Sequence, residues 1–194
     1  MNPANHHAVP SVAKTNSNIT IALLRGINVG GKAIVPMKQL VKCLQLLGYE
    51  DVRTYIQSGN VAFRSPTKLS VRAAEQISAA VAEVCGVKPG VQLLSAAELN
   101  DIIERNPYPE AVDDPSKLHV FFLSAVPASP NVEAMSRLKS PAERYELAPR
   151  ALYLHAPEGI GRSKLAAAVE RLVGVSVTAR NWRTIQKLRE MASE

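Results

Sequence analysis

The sequence predicts an α+β protein made of two ferredoxin-like βαββαβ units, packed as a duplicated, intimately associated pair with extra helices. Three observations lead there. Short apolar runs alternate with stretches of helical periodicity, glycines stand where helices should end, and the same order of elements is read twice, over residues 19–95 and 118–194. Identity between the halves is slight, so the duplication rests on element order.

Residues 1–18 are polar, proline-containing and aperiodic, and read as a disordered leader in which His6 and His7 are too isolated to hold a metal. The apolar run 19–24 has the length of a strand buried on both faces. Residues 36–47 carry an apolar stripe at 37, 40, 41, 44 and 47, closed by Gly48, and form the first helix. Residues 51–57 and 60–65 alternate around Ser58-Gly59-Asn60 as a hairpin. Residues 68–85, ended by Gly86, make a second helix, and 91–94 a fourth strand. Ser95 caps a linking helix over 96–105, and an acidic loop runs from 106 to 116. The order then repeats: strand 118–123, helix 132–138, hairpin 144–147 and 151–155, helix 162–173 closed by Gly174, and strand 175–178. A last helix covers 182–191. The first strand of each unit is apolar on both faces, whereas helices of an isolated unit cover one. The two halves are therefore expected to bury their remaining faces against each other or by exchanging elements.

The chain has 194 residues, 46% of them hydrophobic, with a net charge of +6. That suffices for a sizeable core. No apolar run approaches the ~18 residues of a membrane span, and the leader lacks a secretion-type apolar core, so cytoplasmic residence and no membrane partner are expected. Cys43 and Cys85 sit in apolar helical patterns and read as reduced thiols. Charge is unevenly spread: residues 1–49 hold five bases and no acid, residues 161–194 seven bases and three acids, and residues 95–160 six bases against ten acids. The basic ends coincide with two glycine-rich blocks, which favours an anionic partner there.

The first block runs Arg25-Gly26-Ile27-Asn28-Val29-Gly30-Gly31-Lys32. Glycines that accept positive φ allow several N–H groups to face one anion, with Arg25 and Lys32 supplying charge. The spacing follows a P-loop until its last position, where Ala33 lacks the hydroxyl that holds magnesium, and Pro36 displaces the next helix start. In a βαββαβ unit the first two strands end at one sheet edge, which brings this loop beside Gln57, Ser58 and Asn60. In the second half, strands three and four end together at the opposite edge, which brings Gly161, Arg162, Ser163 and Lys164, at a helix start suited to phosphate, toward Arg180, Asn181 and Trp182. Trp182 is either a stacking platform or a core plug, and Asn60 either a contact or a turn residue.

Residues 23–32 (LLRGINVGGK), 35–37 (VPM), 55–61 (YIQSGNV), 159–165 (GIGRSKL) and 178–182 (TARNW) together resemble the family catalogued as domain of unknown function 1697. The resemblance spans roughly residues 19 to 191 and implies no activity, cofactor or catalytic residue. From the residues themselves no catalytic set emerges. His119 and His155 fall on strands without acids or thiols at ligand spacing, and no cofactor or metal is implied. Tyr55 is a proton-transfer candidate or an interface residue. The best functional expectation is a non-catalytic binder of an anionic small molecule or nucleotide, with nucleic acid possible. The alternatives are a small enzyme on a phosphorylated or carboxylated metabolite, or an assembly protein.

Overall fold

The computed structural model describes residues 19–193; the leader expected over 1–18 lies outside them. The fold is mixed α+β. In chain order the elements are β1 (Ile19–Arg25), α1 (Met37–Leu46), β2 (Glu50–Tyr55), β3 (Asn60–Arg64), α2 (Ala73–Cys85), β4 (Gly90–Ser95) and α3 (Ala96–Glu104). Then follow β5 (Leu118–Leu123), α4 (Val132–Leu138), β6 (Arg144–Leu147), β7 (Ala151–His155), α5 (Lys164–Val173), β8 (Val177–Asn181) and α6 (Trp182–Ser193). Two 3-10 turns, Pro109–Asp113 and Ile160–Arg162, interrupt the loops. Two four-stranded antiparallel sheets result, with orders β2-β3-β1-β4 and β6-β7-β5-β8.

The alternation of each central strand decides what covers it. Ala22 and Leu24 of β1 face α1 and α2 with Val61, Phe63, Leu40 and Ile77, while Ile19, Ile21 and Leu23 face the other way. On β5, Phe121 and Leu123 face α4 and α5, whereas Leu118, Val120 and Phe122 face inward. The inward faces meet in one central core that also contains Leu99, Ile102 and Ile103 of α3 and Trp182, Ile185, Leu188 and Met191 of α6. Thus α3 and α6, the helices outside either repeated pattern, fill the space between the sheets. The C-terminal α6 packs on β1, β2 and β3 of the first sheet as well as on β5 and β8. Each half supplies part of the other's core, as expected for faces that would otherwise expose apolar side chains.

Polar bonds stitch the same seam. Arg53 donates to the Met191 carbonyl at 2.9 Å, Gln92 to Leu123 O at 3.1 Å, and the buried Tyr153 hydroxyl to Ile102 O at 2.6 Å. Burial pushes the Tyr153 pKa up to about 12, so the hydroxyl stays a donor at neutral pH.

Several boundaries differ from the sequence reading, three of them for reasons visible in the local bonding. The second helix begins at Ala73 rather than at residue 68, because Arg72 N and Ala73 N bond to the Ser70 hydroxyl and carbonyl, forming a turn ahead of the helix. The helix expected from residue 162 begins at Lys164, since Ser163 is its N-cap and accepts from Ala166 N at 2.9 Å. The last strand runs from Val177 to Asn181 rather than 175–178, held by pairing of Arg180 with Val120 and Asn181 with His119.

Candidate functional site

The first glycine-rich block forms a small braced hairpin. Gly30 and Gly31 make its tip at φ 56° and 71°, as a tight two-residue turn requires, with Asn28 N donating to Ala33 O and Lys32 N to Val29 O, both at 3.0 Å. These amides are spent inside the loop, so the expected cradle of N–H groups around an anion lacks those of Asn28 and Lys32. The Asn28 side chain ties the loop down, donating to Val35 O at 2.9 Å and Gln57 O at 2.8 Å and accepting from Val35 N at 2.8 Å. This is the link between the loop and the turn over residues 56–59 that strand order predicts.

Arg25 and Asn60 of this cluster also have internal partners. Arg25 pairs with Glu170 of α5 and reaches Val177 O at 3.3 Å, so it fastens β1 to the second half. Exposed as that pair is, it contributes little to stability. Asn60 is fully buried and donates to Tyr55 O at 3.1 Å and to the Ser58 hydroxyl at 3.0 Å. Its carbonyl oxygen accepts from Arg180 Nε. Lys32 and Gly31 are exposed at the hairpin tip, and Gly26 beside Arg25 is exposed too.

Arg180 therefore does not join Lys164. Its place opposite Val120 puts it on the inward face of β8, and its guanidinium crosses to the first half. Besides Asn60 it donates to Leu24 O and Ser58 O, each at 2.8 Å, and to Ala179 O at 2.8 Å. Among the described residues no carboxylate pairs with it. Burial pulls its pKa down to about 10, which still leaves it protonated at neutral pH. Asn181 caps α6 through Thr184 N at 3.0 Å, and Trp182, 4% exposed, lies in the central core. Tyr55 packs against that core as well.

The second glycine-rich block stands apart from these residues, over the outer face of the second sheet. Gly159 turns at φ 93°, Gly161 lies in the 3-10 turn, and Ser163 starts α5. A helix start leaves the first-turn amides, here those of Lys164 and Leu165, without intrahelical acceptors. A cavity of about 310 Å³ opens between this block, the end of α4 and the connection to β6. Arg137, Lys139, Arg162 and Lys164 line it with two acids, Glu143 and Glu158. Arg137 forms an exposed ion pair with Glu133, and Lys139 Nζ lies 3.4 Å from Glu143 O. The Arg162 and Lys164 side chains have no hydrogen-bond or ion-pair partner among the described residues, and both are exposed. Sequence reading missed Arg137 and Lys139; they end a short helix whose docking beside α5 no local pattern reveals.

Catalytic groups are sparse. His119 is buried with its Nδ1 unpartnered, and burial lowers its pKa. His155 lies 3.1 Å from Arg144, which also pairs with Glu110 and sits 4.7 Å over the Tyr108 ring, a cluster that pins the turn Pro109–Asp113 to β6. Burial first, then the Arg144 charge, lowers the His155 pKa. Neither histidine is hydrogen-bonded to a hydroxyl or thiol among the described residues. Within them no group of three or more His, Cys, Asp or Glu could hold a metal, no helix is long and apolar enough to cross a membrane, and Cys43 and Cys85 are free thiols.

Two antiparallel sheets clamped around a shared helical layer, with a basic cavity on one outer face, define an α+β protein. The family model described as "Protein of unknown function (DUF1697)" matches residues 18–153, and the chain belongs to that family. The matched span ends before the block that lines the cavity. No curated protein matches the chain. Among solved structures it is similar to that of the conserved bacterial protein SP0830 from Streptococcus pneumoniae, at 24% identity and a TM-score of 0.70, over 90% of this chain and 98% of that one. That likeness concerns the fold.

Proposed function

We propose that this protein is a non-catalytic binder of small phosphate-bearing ligands, held in the cavity between α4 and α5. The observation that carries the reading is that Arg162 and Lys164 border a cavity of about 310 Å³ with no partner for their charge among the described residues. Four bases against two acids leave the lining positive, and charge-assisted contacts from Arg and Lys suit phosphate oxygens. The site consists of Gly161, Arg162, Ser163 and Lys164, joined by Arg137 and Lys139. A recess of this size takes a metabolite or nucleotide more readily than a nucleic acid strand, which needs an extended groove. Arg25, Asn28, Asn60 and Arg180 act in the fold, and Lys32 with Gly30 and Gly31 offers a secondary anion contact at the hairpin tip.

Each half is further read as a ferredoxin-like unit arising by duplication, a reading supported by the identical permutation of strands in the two sheets. Cytoplasmic residence remains part of the proposal. A second reading, a small enzyme acting on a phosphorylated or carboxylated metabolite, is favoured by one observation: an acidic residue, Glu143, on the same cavity wall as the bases.

Thermal-shift and calorimetric titrations with inorganic phosphate and nucleoside monophosphates test the binding reading, because a ligand that binds only the folded form raises its melting temperature. Wild type should be stabilised. The Arg162→Ala/Lys164→Ala protein should melt at the same temperature without ligand and bind roughly tenfold or more weakly, as expected from loss of charge-assisted hydrogen bonds. No stabilisation of wild type at millimolar phosphate and low salt would remove the proposal.

A further inference from the structure

The cavity holds a feature that phosphate binding leaves unexplained. Glu143 is 5% exposed and borders the cavity, yet no cation lies within ion-pair distance of its carboxylate among the described residues. Its Oε2 accepts from Ser140 N at 2.8 Å, while its own amide donates to Ser140 O at 3.1 Å, closing the turn ahead of β6. That turn needs only a neutral acceptor, which glutamine would supply. The cation nearest along the chain does not serve it, because Lys139 directs its Nζ to the Glu143 carbonyl rather than to the carboxylate. Placing such a group on a wall shared with Arg162 and Lys164 also works against an anion, unless the ligand brings a positive charge of its own.

We infer that the ligand is a phosphomonoester that also carries an ammonium group, with the phosphate on Arg162 and Lys164 and the ammonium on the Glu143 carboxylate. The inference rests on the phosphate-binding reading of the same cavity and narrows its ligand class. The charges then match: the bases meet the phosphate, and the acid meets the cation. A site built to pair a buried polar group discriminates strongly against an analogue that leaves the group unpaired.

The test is calorimetric titration of the full chain at pH 7 with phosphoethanolamine, with propyl phosphate, which replaces the ammonium by a methyl group, and with inorganic phosphate. Phosphoethanolamine should bind about tenfold or more tightly than propyl phosphate, the scale of a hydrogen-bonded charge. In Glu143→Gln, which keeps an acceptor for Ser140 N, that preference should vanish while propyl phosphate binds at least as well as before. Equal affinity of wild type for the two esters would overturn the inference and leave phosphate binding standing. Binding of neither ester nor of inorganic phosphate would overturn both. The comparison of two ligands on wild type decides the matter even where the variant misfolds.

Discussion

The two glycine-rich blocks look alike as strings, each a flexible turn next to an arginine and a lysine, but the fold uses them in opposite ways. In the first, Arg25 is tied to Glu170 and Val177, Asn28 is tied to Val35 and Gln57, and the adjoining turn receives Arg180 from the other half. In the second, Arg162 and Lys164 stand over a cavity with no hydrogen-bond or ion-pair partner among the described residues. The contrast teaches that a cation near glycines marks a ligand site only when the structure has not already taken its hydrogen bonds. A basic residue at a seam is an assembly element, whatever its sequence neighbours suggest.

The largest expected effect comes from removing the clasp of the first block. Arg180→Met deletes a guanidinium that satisfies Asn60 Oδ1, Leu24 O and Ser58 O at once, and leaves a buried asparagine and two carbonyls short of a donor. A loss of about 3 kcal/mol or more is expected, within the range for breaking a buried hydrogen-bond network. Arg162→Met, at an exposed position without a side-chain partner among the described residues, should change stability by no more than about 0.5 kcal/mol. Urea denaturation of the two variants measures both. Similar losses in the two would erase the distinction between the blocks.

A pair of glycine substitutions sharpens the same contrast at smaller amplitude. At Gly59, with φ of 71°, a new Cβ would lie 2.6 Å from Leu24 Cβ and 3.2 Å from Leu24 O, in a turn whose own carbonyl accepts from Leu24 N at 2.8 Å. Gly59→Ala should cost about 2–3 kcal/mol, combining overpacking with an unfavourable φ. Gly161, in the second block, has no positive φ and open space around a Cβ, so Gly161→Ala should change stability by no more than about 0.5 kcal/mol. Thermal melts followed by circular dichroism would report the difference; equal shifts would mean the first turn is no more tightly packed than the second.

Much of the fold was legible because it follows from local pattern. The apolar runs of β1 and β5, the stripe of α1 closed at Gly48, and the capping Ser95 of α3 each act within a few residues, and all four are found where expected. The need for a cover on both faces of β1 was legible too, from the run itself. What filled the gap was not, because α3 and α6 carry ordinary amphipathic patterns, and nothing local says that their apolar faces lie between two sheets. The site suffered most from this. Arg180 and Asn60 are separated by 120 positions and meet only through the docking of the halves. Grouping Arg180 with Lys164 followed from strand ends alone and ignored that alternation aims Arg180 inward. Arg137 and Lys139 reach the cavity through packing of α4 against α5, which leaves no mark in their neighbours.

The smallest prediction asks whether acid sensitivity also divides between the halves. Both described histidines, His119 and His155, belong to the second sheet, and burial holds both pKa values below the ordinary histidine range. A folded pKa below the unfolded one means that the unfolded chain takes up a proton first. The stability contributed by the neutral ring is thus complete above about pH 6.5 and declines as pH falls from there toward the folded pKa. Glu110 and Asp114, whose folded pKa values are lowered by Arg144 and by Ser116, give way only at lower pH, from about 4.5 down. His119, buried with an unpartnered Nδ1, should account for most of the first window. His119→Phe should flatten the dependence of urea midpoint on pH between 7 and 5, while leaving the steeper carboxylate limb below it in place. An unchanged slope between pH 7 and 5 would place the acid-sensitive group elsewhere and remove this asymmetry between the two halves.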